Sequence, residues 1–436
     1  MDVFVIEGGR RLSGRLRVNG SKNAALPLMA ASLLTDDPLV LRDAPELSDI
    51  RNMTRLLGEL GVEGERDGAL TLTPTGEDRS HARYDIVRTM RASICVLGPL
   101  LAKRGSARVS LPGGCAIGQR PVDLHLRGLE ALGAEIALEG GDIIATAPGG
   151  RLRGSTVFLG GPFGSTVLGT ANVMSAATLA RGTTVIESAA CEPEVVDLAE
   201  LLTRMGARIH GAGSPRITVH GVEALGGAEH TVIPDRIECG TLMCAAAITN
   251  GEVTLDNAPL DAMMSVTETL AQIGVHTDPA GSGDDPMRRS CTVSCDRSLR
   301  PVQITTQPHP GFPTDLQAQF MALLTLARGN SVITEKIFPE RFLHVAELTR
   351  MGASVVRQGA TAVVSGVDTL TGAPVMASDL RASAGLVVAA LAARGTTTVN
   401  RVYHIDRGYE RLETRLSGLG ASIRRTDAEI TAPETA

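Results

Sequence analysis

Three residues and one loop have types and settings suited to chemistry. Lys22 stands in NGSKNAALPLMAASLL, at the mouth of an apolar stretch. Only three of the chain's 42 cationic residues are lysines, Lys22, Lys103 and Lys336, so a lysine here is a departure from the arginine default. Its ammonium offers a compact charge for a phosphate or carboxylate, and Asn23 beside it can hydrogen-bond the same ligand. The segment lacks GxxxxGK[ST], so it is not a nucleotidase phosphate loop. Cys115 stands in SLPGGCAIGQRPVD, a glycine-rich loop with Arg120 five residues on. A nearby cation favours thiolate, so this thiol reads as reactive. Cys95, Cys191, Cys239 and Cys244 read as small buried residues. Asp315, in HPGFPTDLQAQF, places a carboxylate at a helix start, as a general base or a ligand for a substrate hydroxyl. Gly160 to Thr166 read GGPFGST before the helical VLGTANVMSAATLA, a loop whose backbone N–H groups could hold a diphosphate.

The elements that must position these residues recur along the chain. Helical stretches end in ELGV, ALGA, RMGA, QIGV, RMGA and GLGA, with glycines at 61, 133, 206, 274, 352 and 420. The spacing stays near one sixth of the 436 residues, about 73. A second phrase accompanies it, an apolar helix, then Arg-Gly or a substitute, then a Thr/Val-rich strand, as in TLARGTTVIES and LAARGTTTVNR. Glycine suits the helix exit and the β-branched residues suit a strand. Six α/β units of about 72 residues result, rather than the three domains that length alone would suggest.

Counting back 14 residues from each Arg-Gly glycine reaches the start of the apolar helix. Gly105 leads to Arg91, Gly329 to Asp315 and Gly395 to Arg381, while Asp36, in the glycine's place, leads to Lys22. The other two units give Leu168, beside Ser165 and Thr166, and Ile237, between Arg236 and Glu238. Counting back 13 from Gly133 and Gly420 gives Arg120 and Arg407 as starts of the other helix. Cationic residues at helix N-termini, where N–H groups and the dipole already attract anions, describe a pocket for a substrate with several negative charges.

Composition narrows the alternatives. Aromatic residues make up 2%, with no Trp, so the core must be aliphatic and base stacking on single strands is excluded. A net charge of −6 argues against bulk nucleic-acid binding. No run approaches the 18 apolar residues of a membrane span. The N-terminus lacks the apolar core of a signal peptide, and seven cysteines is an odd number, so free thiols in a reducing cytoplasm are expected. Cys291 and Cys295 are spaced like half a metal site, but no second pair completes it, and neither metal nor cofactor is expected.

The motifs SKNAALP, LPGGCAIGQRPVDLHL, EPEVVDLA, IPDRIE, FPTDLQAQF, DLRASAGLV and HIDRGYERLE together resemble the UDP-N-acetylglucosamine enolpyruvyl transferase family. The resemblance runs through essentially the whole chain. It implies a two-domain inside-out α/β barrel, with three units per domain. Residues 22–234 would form one domain, and 1–21 with 235–436 the other. It implies transfer of the enolpyruvyl group of phosphoenolpyruvate to the 3-hydroxyl of UDP-N-acetylglucosamine, with loss of phosphate, as the first committed step of peptidoglycan synthesis. The expected partners are those two substrates, with no nucleic acid or membrane, acting on a monomer.

By the same resemblance, Lys22, Arg120 and Arg407 grip phosphoenolpyruvate, aided by Asn23 and Arg381. Arg91 sits beside the sugar nucleotide, Arg120, Pro121, Val122, Asp123 and Leu124 bind the uridine end, and Ile337 touches the nucleotide. Asp315 serves in deprotonating the sugar hydroxyl. Cys115 is the general acid toward the methylene carbon, can form an adduct with phosphoenolpyruvate, and is the target of fosfomycin. An open–closed movement brings Cys115 over the cleft. Many members carry a Lys before the Ala/Thr-rich helix; this chain does not, and Ser165, Thr166 and Val167 take those nucleotide contacts. Two other readings stand beside this one, a sibling enzyme acting on shikimate 3-phosphate and a non-catalytic UDP-sugar sensor.

Aspartic acid can also carry a proton, so Cys115→Asp is expected to keep turnover while escaping alkylation. Phosphate release after incubation with fosfomycin checks this; drug inactivation of the variant would refute it.

Overall fold

The computed structural model describes residues 2–76, 79–112, 122–280, 285–295 and 298–427. Six apolar helices organise it: α1 Lys22–Ala30, α2 Leu97–Arg104, α3 Val167–Thr178, α4 Arg236–Ile248, α5 Gln317–Leu324 and α6 Leu380–Ala392. They are rich in Ala, Leu, Val, Met and Gly and have little polar face. A helix apolar all round must be buried all round, and every residue of α5 and all of α6 from Arg381 to Leu391 are buried.

Each of these helices belongs to a unit with one four-stranded sheet, and there are six such sheets. The third unit shows the plan. Strand Thr156–Phe158 leads into α3, which returns to strand Thr183–Glu187, parallel to the first with Val157 opposite Ile186. Helix Pro193–Arg204 follows, then the hairpin Arg208–His210 and Arg216–His220, which adds antiparallel pairs. Alternation sets the facing, with Thr184 and Ile186 buried and Thr183 exposed.

Residues 2–19 and 234–427 form one compact unit, and described residues within 20–233 form the other. Each has its own aliphatic core. In the 20–233 unit, strand Ala228–Thr231 pairs in parallel with Leu39–Arg42 and so joins the end of the unit to its first sheet. In the C-terminal unit, strand Asp2–Glu7 lies between Thr396–Asn400 and Ser422–Asp427, antiparallel to both, and Ser13–Arg17 pairs in parallel with Glu252–Ala258. There α4, α5 and α6 pack on one another, while α2 packs on α3 in the 20–233 unit.

The repeat glycines have a conformational reason. Gly61, Gly133, Gly206, Gly274, Gly352 and Gly420 all have φ between +83° and +109°, turning the chain from helix to strand through a region that side chains disfavour. The 14-residue count lands within one residue of the start for α1, α3, α4 and α6; for α2 and α5 it lands on 3₁₀ turns, Arg91–Val96 and Thr314–Leu316, that lead into them. The 13-residue count is less general. It meets the first residue of helices Ser48–Glu59 and Pro193–Arg204, but Arg407 ends a 3₁₀ turn, Val402–Arg407, and the helix begins at Leu412. Arg407 is therefore not at a helix start. Arg411 adopts a left-handed conformation (φ 42°) just before Leu412, which starts the helix late.

Cys95, Cys239, Cys244, Cys291 and Cys295 are buried, whereas Cys191 is half-exposed and so not the core residue expected. It precedes the Glu192 cap of helix Pro193–Arg204, in a loop rather than in an apolar helix.

Helix contact is closest at Gly98 in α2, where an added Cβ would stand 2.3 Å from the Asn172 carbonyl oxygen of α3. The same Asn172 accepts from the Gly98 N–H at 2.8 Å through its side chain. Gly98→Ala is expected to destabilise the chain by about 1–3 kcal/mol through overpacking, read as a lower urea midpoint. Gly58→Ala, in an exposed helix position with nothing within 4 Å, should be neutral or stabilising by up to about 1 kcal/mol. Equal effects would contradict this packing.

Candidate active site

The C-terminal unit brings Asp315 and Arg381 together. Arg381 is the second residue of α6, whose cap Asp379 accepts from the N–H groups of Arg381 and Ala382 at 2.9 and 3.1 Å. An Asp at this place satisfies first-turn donors that would otherwise be orphaned. Arg381 is only 2% exposed. Its Nε lies 3.4 Å from Asp315 Oδ2, and its guanidinium sits over the Tyr409 ring at 5.5 Å. Burial opposes its charge while Tyr409 and Asp315 favour it, and neither terminal nitrogen of Arg381 meets strict hydrogen-bonding geometry with any described residue. A buried guanidinium fork in this condition suits a carboxylate or phosphate, which can take both N–H groups at once.

Asp315 lies in the turn before α5, and its Oδ1 accepts from Arg341 at 2.7 Å. The carboxylate therefore sits between two guanidinium groups. Arg341 also donates to Thr314 Oγ1 at 3.0 Å. Thr314 in turn donates to Glu335 Oε2 at 2.9 Å, and Thr306 donates to Oε1 at 2.7 Å. The backbone N–H groups of Ile337 and Phe338 also donate to Oε1, at 2.9 and 3.0 Å. Glu335 is fully buried, so this carboxylate ties the loop carrying Ile337 to the turn carrying Asp315. Arg407 is half-buried at the end of its turn. Burial, and then the Arg407 charge, push His404 in that turn below the ordinary histidine range.

The 20–233 unit carries the other described residues. Lys22 is the first residue of α1, with Ser21 as cap accepting from the Ala24 N–H at 3.3 Å. Its ammonium lies 2.7 Å from Asp49 Oδ2, with side chains 9% and 2% exposed. Asn23 and Arg91 are half-buried, Arg91 at the start of the turn before α2. Thr166 caps α3, accepting from the Gly169 N–H at 3.2 Å, so Ser165, Thr166 and Val167 form the mouth of that helix. Val122 precedes helix Asp123–Ala131, Asp123 is exposed in its first turn, and Leu124 is half-buried. A Cβ on Gly161 would lie 3.0 Å from Leu124 Cδ1, and Arg127 donates to the Gly160 carbonyl at 2.9 Å. Leu124 and the GGPFGST loop are thus neighbours. Cys115, Arg120 and Pro121 lie outside the described residues.

Sequence reasoning missed Asp49, Glu335, Arg341 and Tyr409. Glu335 and Arg341 lie in EKIFPERF around Ile337, and Tyr409 lies in HIDRGYERLE. Asp49 has no local signal, because its importance comes from Lys22, distant in the chain. Asp49→Ala removes one carboxylate of a buried ion pair and is expected to cost about 3–5 kcal/mol in urea unfolding; a loss below about 1 kcal/mol would show that Lys22 does not depend on it.

A family model described as EPSP synthase (3-phosphoshikimate 1-carboxyvinyltransferase) matches residues 6–416. The UDP-N-acetylglucosamine 1-carboxyvinyltransferase of Dinoroseobacter shibae is 55% identical over 428 residues, covering 98% of this chain and 99% of its own. That of Anaeromyxobacter sp. is 53% identical over 432 residues, covering 98% and 100%. Among solved structures, the enolpyruvyl transferase NikO from Streptomyces tendae matches with a TM-score of 0.87 and 27% identity, covering 98% of this chain and 99% of that one. EPSP synthase from Acinetobacter baumannii matches with a TM-score of 0.76 over 98% of this chain and 100% of its own, at 19% identity, which shows the shared fold alone. The mixed α/β fold of six four-stranded sheets is thus that of the enolpyruvyl transferases. With more than half of its residues identical to such relatives over nearly its full length, the chain belongs to the UDP-N-acetylglucosamine 1-carboxyvinyltransferase family.

Proposed function

We propose that this chain transfers the enolpyruvyl group of phosphoenolpyruvate to the 3-hydroxyl of UDP-N-acetylglucosamine and releases phosphate, the first committed step of peptidoglycan synthesis. The observation that carries this reading is the full-length identity to relatives of that name. The buried Asp315–Arg381 arrangement supports it with chemistry, setting an anion-binding fork beside a carboxylate able to take a hydroxyl proton.

The reaction needs fixed cations for the two anionic ends of phosphoenolpyruvate, a proton donor to its methylene carbon and a base for the sugar hydroxyl. Lys22, Arg120 and Arg407 take the anion, aided by Asn23 and Arg381. Cys115 gives its proton to the methylene carbon, which becomes a methyl group and leaves the adjacent carbon electron-poor. Asp315 accepts the 3-hydroxyl proton as that oxygen bonds to the electron-poor carbon. The resulting tetrahedral adduct then breaks its bond to the phosphate oxygen. Phosphate departs with those electrons, and the methyl group returns a proton to the Cys115 thiolate as the double bond is restored. Arg91, Val122, Asp123, Leu124 and Ile337, with Arg120 and Pro121, hold the sugar nucleotide; Ser165, Thr166 and Val167 present the α3 N-terminus to its diphosphate.

The cytoplasm is the proposed compartment. Among the described residues no helix is long and apolar enough to cross a membrane.

Asp315→Ala is expected to lower kcat by about 10²–10⁴-fold, measured as phosphate release from phosphoenolpyruvate and UDP-N-acetylglucosamine, while sugar-nucleotide binding stays measurable by calorimetry. Near-wild-type turnover would remove Asp315 from the mechanism. Tight sugar-nucleotide binding by the wild-type chain with no phosphate release would favour a non-catalytic sensor.

A further inference from the structure

Three helices of the C-terminal unit each send a polar side chain into the same buried volume, Thr241 from α4, Gln319 from α5 and Arg381 from α6. Tyr409 meets all three. These four residues are between 0% and 3% exposed. The Tyr409 hydroxyl lies 2.9 Å from Thr241 Oγ1 and 3.2 Å from Gln319 Nε2, and Gln319 Nε2 is 3.0 Å from Thr241 Oγ1.

The Ile237 carbonyl can only accept and lies 2.8 Å from Thr241 Oγ1; with the Thr241 proton placed there, Tyr409 donates to Thr241 Oγ1. The Gln319 amide then donates to both hydroxyl oxygens. Burial pushes the Tyr409 phenol above its ordinary range, which keeps that donor proton in place. The ring is thus pinned at its far end, with Arg381 over its face.

The backbone of Tyr409 is fixed as well. Its N–H and that of Gly408 both donate to the Ile405 carbonyl at 3.0 Å, which attaches Tyr409 to the turn that ends at Arg407. Gly408 also lies against Leu380 at the start of α6, where an added Cβ would be 2.6 Å from Leu380 Cδ2. One side chain therefore bears on both arginines proposed to hold phosphoenolpyruvate, Arg381 through its ring and Arg407 through the chain.

We propose that Tyr409 is a positioning residue for phosphoenolpyruvate, its hydroxyl anchored by Thr241 and Gln319 so that Arg381 and Arg407 are presented to the anion in one arrangement. The inference rests on the enolpyruvyl-transfer reading above. It differs from a core-packing role in what it should move. A packing defect lowers stability and disturbs both substrates, whereas loss of this anchor selects phosphoenolpyruvate.

The test compares Tyr409→Phe, which keeps the ring and removes the donor, with Thr241→Val, which keeps the tyrosine and removes its acceptor. KM for each substrate and kcat are read by phosphate release. Both variants should raise KM for phosphoenolpyruvate about tenfold, with KM for UDP-N-acetylglucosamine within about twofold and kcat within about threefold. Unchanged KM for phosphoenolpyruvate in either folded variant, or equal shifts for both substrates, would overturn the proposal. Should one variant fail to fold, the other decides alone. A wild-type chain with no turnover overturns the functional reading, whereas turnover with unaltered variants overturns only the role of Tyr409.

Discussion

A helix that is apolar on every side can meet polar groups only at its ends. Six such helices set the terms of this structure, because burying them leaves their N-termini as the natural places for charge. Ser21, Thr166, Asp235 and Asp379 cap four of them and satisfy first-turn donors. Lys22 directly follows one of those caps and Arg381 stands two residues after another. The repeated unit thus yields a protein whose helix-start side chains emerge from a buried, apolar interior. Charges held in a low-dielectric setting act strongly on a developing charge.

Burying those cations has a cost, and the two units meet it differently. Lys22 is matched by Asp49 in a short ion pair. Arg381 has Asp315 on its Nε side and a tyrosine ring at its face, while its terminal nitrogens lack hydrogen bonds among the described residues. Desolvation makes an ionic group with open hydrogen-bonding capacity expensive. Its place beside a carboxylate that could act as base fits the proposed role in holding phosphoenolpyruvate, in which an incoming dianion would supply the missing bonds.

Much of this was legible before the fold was known. The six glycines with positive φ announced the repeat, since few other residues turn a helix into a strand this way. The 14-residue count located Lys22, Arg91, Asp315 and Arg381 because each apolar helix, taken together with any 3₁₀ turn adjoining it, spans a similar length. The same counting misplaced Arg407, because a left-handed Arg411 delays the following helix to Leu412 and leaves Arg407 in a 3₁₀ turn. Tyr409, Asp49 and Glu335 were not legible as parts of a site. Their roles depend on side chains that the fold brings in from far along the chain, such as Thr241, 168 residues from Tyr409, and periodicity carries no record of such partners.

The family model that matches this chain is described by a different acceptor from the one named for the curated relatives. Acceptor choice is therefore the most direct test of the central claim. With phosphoenolpyruvate saturating, phosphate release should be measured against UDP-N-acetylglucosamine and against shikimate 3-phosphate. The account predicts release with the sugar nucleotide and none above background with the shikimate ester. Release with the shikimate ester alone would contradict it.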